Sequence, residues 1–145
     1  MSDFRVLSDT VLASPQIAAD DLSVAKDEGV TCIINNRPDG ESEDQPGSNE
    51  IAQAAETLGL RYVHIPIDHA GFSLAQVDAM VEALDGAEGK VLAFCRSGTR
   101  STLLWALAQA KRGESPDAIA QAAARAGYDI GPVRGAIDAL AAERS

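Results

Sequence analysis

Cys95 and Arg100 are separated by four residues in the run Cys95-Arg96-Ser97-Gly98-Thr99-Arg100-Ser101. A thiol, two guanidinium groups, a glycine and three hydroxyls fall within those seven residues. The thiolate is the nucleophilic form of cysteine. Gly98 permits a backbone turn in which successive N–H groups converge on one anion. A helix N-terminus behind the loop contributes only ~0.3–1 kcal/mol, ~2 at best. Each N–H bond to a charged sulfur contributes more, roughly 1.5–3 kcal/mol. The chemistry therefore needs a looped cradle and not merely a nearby helix end. Arg100 offers a planar fork to an oxyanion. Arg96 is expected to project outward and attract anions, with Ser97, Gly98 and Thr99 lining the anion site. Ser101 is expected to hydrogen-bond the sulfur and ease its departure as a leaving group.

Such a loop needs a strand before it and a helix behind it. Lys90–Phe94 is a short apolar run, and Thr102-Leu103-Leu104-Trp105 continues beyond the loop. A buried strand is expected over 90–94 and a helix over 101–112. Upstream, short strands are expected near 4–7 and 11–13, with a helix from Asp20 to Glu28. Val30–Asn35 is β-branched and continuously apolar, as in a strand buried on both faces. A helix capped by Ser48 should run to Leu58, and a strand over 61–65 should follow. Ser73 should cap the next helix, and Ser115 with Pro116 the one after the cysteine helix. Gly131-Pro132 should open the last helix. Strands alternating with helices imply an α/β fold, three layers with a mainly parallel central sheet, in one domain over 1–145. The right-handed crossover rule then brings three loops to one sheet edge: 36–47, 66–72 and 95–100.

Those loops carry the remaining candidates. Asp68, after the strand that precedes the cysteine strand, is a candidate general acid, with His69 in reserve; a turn aspartate is its plainer role. Arg37 is a candidate for a second anionic part of the substrate, with Asp39 orienting Arg37 or Arg100. The acidic run Glu41–Asp44 is expected to be a solvated loop tip. Cys32, mid-strand, is expected to be structural and buried, and His64 structural.

The net charge of −10 disfavours nucleic acid and anionic membranes as partners, since the long-range field repels polyanions. Attraction for an anionic substrate must then be local. No apolar run approaches 18 residues, and no signal peptide is evident, so a cytoplasmic location with reduced cysteines is expected. Two cysteines and two histidines without ligand spacing predict no metal and no cofactor. The expected partner is a small anion, either a phosphate ester or a sulfane sulfur donor. The oligomeric state stays open.

The cysteine run, together with Asn35-Asn36-Arg37-Pro38-Asp39-Gly40, resembles the phosphatase-like domain of the beta-lactamase hydrolase-like family, over Leu7 to about Tyr128. The resemblance implies a fold like the protein tyrosine and dual-specificity phosphatases. Some relatives carry a fused metallo-hydrolase domain linked to sulfide metabolism; with two histidines, this chain is not expected to build such a metal centre.

Two chemistries fit the loop. In the first, Cys95 attacks phosphorus, Arg100 binds phosphoryl oxygens and Asp68 protonates the leaving oxygen. In the second, Cys95 carries a persulfide and passes its outer sulfur to an acceptor. Dual-specificity phosphatases have five residues between cysteine and arginine and usually a histidine before the cysteine. This chain has four, as rhodaneses do, and Phe94. One residue fewer shortens the loop by ~3.8 Å, or roughly 0.6 Å in radius. A third possibility is an anion-binding module without catalysis.

Overall fold

The structure, a computed structural model, describes residues 3–68 and 70–143. Its strands are β1 (Arg5–Ser8), β2 (Val11–Ser14), β3 (Val30–Asn35), β4 (Arg61–His64) and β5 (Lys90–Phe94). They form one sheet in the order β1-β2-β5-β3-β4, antiparallel between β1 and β2 and parallel elsewhere. Every crossover between the parallel strands contains a helix: α1 (Ala19–Asp27), α2 (Ser48–Thr57) and α3 (Leu74–Asp85). The helices α4 (Thr99–Lys111), α5 (Pro116–Arg125) and α6 (Arg134–Glu143) follow β5, with a 3-10 turn at Gly131–Val133 ahead of α6.

The central strand shows why its sequence is apolar throughout. Val91 and Ala93 pack with Met80, Leu104, Trp105, Ile119 and Ile137 on one face of the sheet. Leu92 and Phe94 pack with Leu22 and Ile51 from α1 and α2 on the other. Period-two alternation sends neighbours to opposite cores, so a strand covered on both faces has no polar position to spare. The result is three layers, α1–α2, the sheet, and α3–α6. The parallel register places Ser14 beside Phe94, Phe94 beside Asn35, and Asn35 beside His64. The carboxyl ends of four strands therefore lie on one edge, where parallel α/β sheets place their ligands.

Three local expectations change. The helix after the cysteine starts at Thr99, inside the motif, because Gly98 adopts φ 90° and caps it. The cap position of α2 is Gly47, and Ser48 is the first helical residue. The last helix opens with a 3-10 turn before becoming α-helical at Arg134.

Candidate active site

Cys95 follows β5 immediately and is fully buried. Its N–H donates to the Ser14 carbonyl at 3.3 Å, which continues the β2–β5 ladder by one bond. The Gly98 N–H donates to Cys95 Sγ at 3.1 Å. The N–H groups of Arg96, Ser97 and Arg100 meet no acceptor among the described residues. All three lie in the six residues that begin with the thiol, on residues that are exposed (Arg96, Ser97) or half-buried (Arg100), so they are free to meet a ligand or water. Ser97 and Thr99 are exposed, with the Ser97 hydroxyl donating to Thr99 Oγ1 at 3.0 Å. Arg96 projects into solvent, while its carbonyl accepts from the Gln16 N–H at 3.2 Å. The segment after β2 is thus part of the site, which its apolar-then-turn sequence did not reveal.

Arg100 is half-buried and its guanidinium is fully oriented. Glu41 accepts from it in bidentate fashion, Nη1 to Oε2 at 2.7 Å and Nη2 to Oε1 at 2.8 Å. The second Nη1 proton goes to the Ile67 carbonyl at 2.7 Å. A guanidinium has five N–H donors. Two remain, on Nε and Nη2, side by side along one edge. The guanidinium pKa is pushed further up, chiefly by the Glu41 hydrogen bond against burial, with Cys95 adding to the rise. The protons left to face Cys95 are those of the open edge.

Glu41 is therefore not a solvated loop tip. Its Oε1 also accepts from Arg37 Nε at 2.9 Å, and its pKa falls to about 2, first through the Arg100 hydrogen bond, against burial, and then through Arg37. Nor does Arg37 present itself to a substrate. It is 3% exposed, and it donates to Glu41, to Gln16 Oε1 at 3.0 Å and to Ser42 Oγ at 3.3 Å. Glu41 was hidden in the sequence because its partner Arg100 is remote. The one available signal was Arg37, since a guanidinium beside a buried strand end requires a carboxylate nearby.

Asp39 does not orient either arginine; its Oδ1 accepts from the Ser48 N–H at 2.8 Å, capping α2 from outside the helix. Ser101 does not serve the sulfur. It is fully buried and its one hydroxyl proton goes to Asn36 Oδ1 at 2.7 Å. Asn36 also donates through Nδ2 to the Ile65 carbonyl at 2.9 Å and through its N–H to the Phe94 carbonyl at 2.8 Å. One buried amide thus ties the ends of β3, β4 and β5 to α4. His64 is internal too, Nε2 lying 3.0 Å from the Arg37 carbonyl and Nδ1 3.3 Å from Ser48 Oγ.

Asp68 is exposed and directly follows Ile67, whose carbonyl accepts from Arg100, so its loop is tied to that guanidinium. Its Oδ1 accepts from the Ala70 N–H at 2.9 Å, and its other carboxylate oxygen is uncommitted among the described residues. His69 lies outside the described residues. Cys32 is 1% exposed, and burial pushes its thiol pKa up. Among the described residues no three His, Cys, Asp or Glu side chains converge as a metal site would require, and no helix is long and apolar enough to cross a membrane.

Solved structures share this architecture. A candidate phosphatase from Neisseria meningitidis Z2491 superposes with a TM-score of 0.82 at 32% identity, covering 95% of this chain and 98% of that one. A candidate phosphatase from Shewanella putrefaciens CN-32 gives 0.76 at 26% identity, covering 97% and 92%. PTPMT1, solved with PI(5)P, gives 0.72 at 17% identity, covering 98% and 99%, and shares the protein tyrosine phosphatase-like fold. Among curated sequences, the beta-lactamase hydrolase-like protein of Xylella fastidiosa is 38% identical over 104 residues, which are 71% of this chain and 24% of that protein. The Agrobacterium fabrum counterpart is 36% identical over 104 residues, 72% of this chain and 24% of that protein. The chain spans about a quarter of the length of these curated relatives. The family profile matches residues 3–112, ending short of Tyr128 but containing Glu41, Asp68, Cys95 and Arg100. On that match, the chain belongs to the phosphatase-like domain family of the beta-lactamase hydrolase-like proteins.

Proposed function

We propose that the protein is a cysteine-dependent phosphatase-like hydrolase acting on a small phosphate ester. One observation carries this reading: three unpaired N–H groups and the open edge of Arg100 belong to the loop that begins at Cys95. A phosphoryl group presents three non-bridging oxygens, each able to accept more than one hydrogen bond, and these five donors, two of them on a cation, suit such an acceptor. Kinship with the Neisseria and Shewanella candidate phosphatases supports the same class.

In the proposed reaction Cys95 Sγ, as thiolate, attacks phosphorus. The S–P bond forms as the bond to the ester oxygen breaks, and Asp68 gives that oxygen its proton. Water then attacks the phosphocysteine and passes a proton to the Asp68 carboxylate. Cys95 leaves as thiolate and inorganic phosphate is released. The loop N–H groups and Arg100 stabilise charge on the equatorial oxygens through both steps. The Ile67–Arg100 bond supports the role of Asp68, because it holds the acid's loop against the oxyanion fork.

Loop length favours a second reading, sulfur transfer. Here the Cys95 thiolate attacks the sulfane sulfur of a thiosulfate-type donor. The new S–S bond forms as the donor's S–S bond breaks and sulfite leaves. A thiophilic acceptor then removes the outer sulfur and restores the thiolate, with no general acid. Assays with an aryl phosphate and with thiosulfate plus cyanide, run on wild type and Asp68→Asn, separate the two. The phosphatase reading expects aryl phosphate turnover that falls ~10²–10⁴-fold in the variant. Thiosulfate turnover alone, indifferent to Asp68→Asn, would replace it with sulfur transfer.

A further inference from the structure

The peptide group that joins Ser97 to Gly98 is held at both ends. Its N–H donates to Cys95 Sγ at 3.1 Å, and its carbonyl accepts from the Tyr128 hydroxyl at 3.1 Å. In a trans peptide these two ends point in opposite directions. A donor fixed on the carbonyl side therefore aims the N–H at the sulfur. It also polarises the amide, which strengthens the bond the N–H makes.

Tyr128 is itself held in place. It follows α5, its N–H donating to the Ala123 carbonyl at 2.9 Å. The Arg5 guanidinium lies 5.4 Å from its ring centroid and donates to the Ala126 carbonyl at 3.2 Å. The fit against the loop is close: a Cβ on Gly98 would collide with the Tyr128 hydroxyl, and Gly98 already needs φ 90°. Burial pushes the phenol pKa up against the opposing Arg5 charge, and Cys95 adds to the rise. The hydroxyl consequently remains protonated and available as a donor.

We infer that Tyr128 is a positioning residue for Cys95, its hydroxyl turning the Ser97–Gly98 peptide so that the Gly98 N–H faces the sulfur. The inference rests on Cys95 being the nucleophile. It adds a strut from outside residues 3–112, the span of the family match.

Tyr128→Phe keeps the ring and its contact with Arg5 and deletes only the hydroxyl. Two readouts apply to the full chain: the rate of Cys95 alkylation by iodoacetamide at one neutral pH, and the NMR shift and exchange rate of the Gly98 amide proton. Mass spectrometry of the Cys95 peptide reads alkylation there separately from Cys32, whose thiol pKa is raised by burial. The expected result is alkylation slowed about three- to ten-fold, the worth of one hydrogen bond, with a shifted and faster-exchanging Gly98 amide. Unchanged alkylation and an unchanged Gly98 amide would overturn the inference, leaving Tyr128 as a staple for the end of α5. Tyr128→Leu removes the ring as well. If only this variant slows alkylation, packing acts and the hydroxyl does not, which also overturns it. Should wild-type Cys95 react no faster than a free thiol, the nucleophile reading fails; the Gly98 amide still reports whether the hydroxyl turns the peptide, so the two failures are told apart.

Discussion

Arg37 and Arg100 share one carboxylate and end in opposite conditions. Arg37 has a side chain 4% exposed and uses each of its three nitrogens on Glu41, Gln16 or Ser42. Arg100, at 23%, gives the end of its fork to Glu41 and an outer proton to Ile67, and keeps one edge open. The first is a brace for the loop after β3. The second, with an edge left free beside the thiol, is the proposed binding group. What separates them is the number of donors left after internal partners are served, which residue type and motif spacing do not reveal.

The largest effect expected along this contrast comes from the thiol that Arg100 serves. Cys95→Ser should lower turnover of any substrate by on the order of 10⁴-fold or more while leaving the thermal midpoint near wild type; retained turnover would mean the open edge of Arg100 serves some other group. Arg100→Lys should cost roughly 10²–10³-fold, because an ammonium cannot present a bidentate edge. Steady-state kinetics on the aryl phosphate checks it, with stability almost unchanged. Glu41→Gln keeps one acceptor and loses the shared charge, so turnover should fall about ten-fold as Arg100 loses its orientation. Arg37→Lys should have the smallest direct effect on chemistry. Its signature is a loss of about 1–3 kcal/mol in denaturant unfolding, from Gln16 and Ser42 left without their donors. If Arg37→Lys and Arg100→Lys gave the same profile, the distinction between brace and binding group would collapse.

Acid sharpens the same comparison. The Glu41 carboxyl is held down to about 2 from an ordinary 4.5. Its depressed value contributes stability that is present above about 4.5 and is lost as pH falls towards 2. The stability gap between wild type and Glu41→Gln should therefore be roughly constant from about pH 5 to about pH 9, where Glu41 is ionised both folded and unfolded. It should close below that range; a gap that varied through neutrality would contradict the shared-carboxylate geometry.

Much of this architecture was legible from residue order. The run Val30–Asn35 predicted a strand covered on both faces, and the order of strands and helices predicted the parallel edge that carries the loops of Cys95 and Asp68. Period and turn chemistry are local, so they survive without knowledge of the fold. The polar wiring was not legible. Closeness in sequence points Ser101 at the sulfur, yet Asn36, far upstream, takes its proton. Asp39 caps a helix nine residues on, and Glu41 finds Arg100 across the site. These partners depend on the path of a long loop, and no periodicity encodes that path. Tyr128 belongs to the same class: its role appears only once α5 is seen to return to the cysteine loop.

The central claim is that the shortened loop from Cys95 to Arg100 holds a phosphoryl group. Rapid quenching of wild-type protein with an aryl phosphate, followed by mass spectrometry of the Cys95 peptide, tests it most directly. A transient phosphoryl adduct on Cys95 is expected. A peptide that never gains a phosphoryl group from the aryl phosphate, yet gains one sulfur atom from thiosulfate, would contradict it.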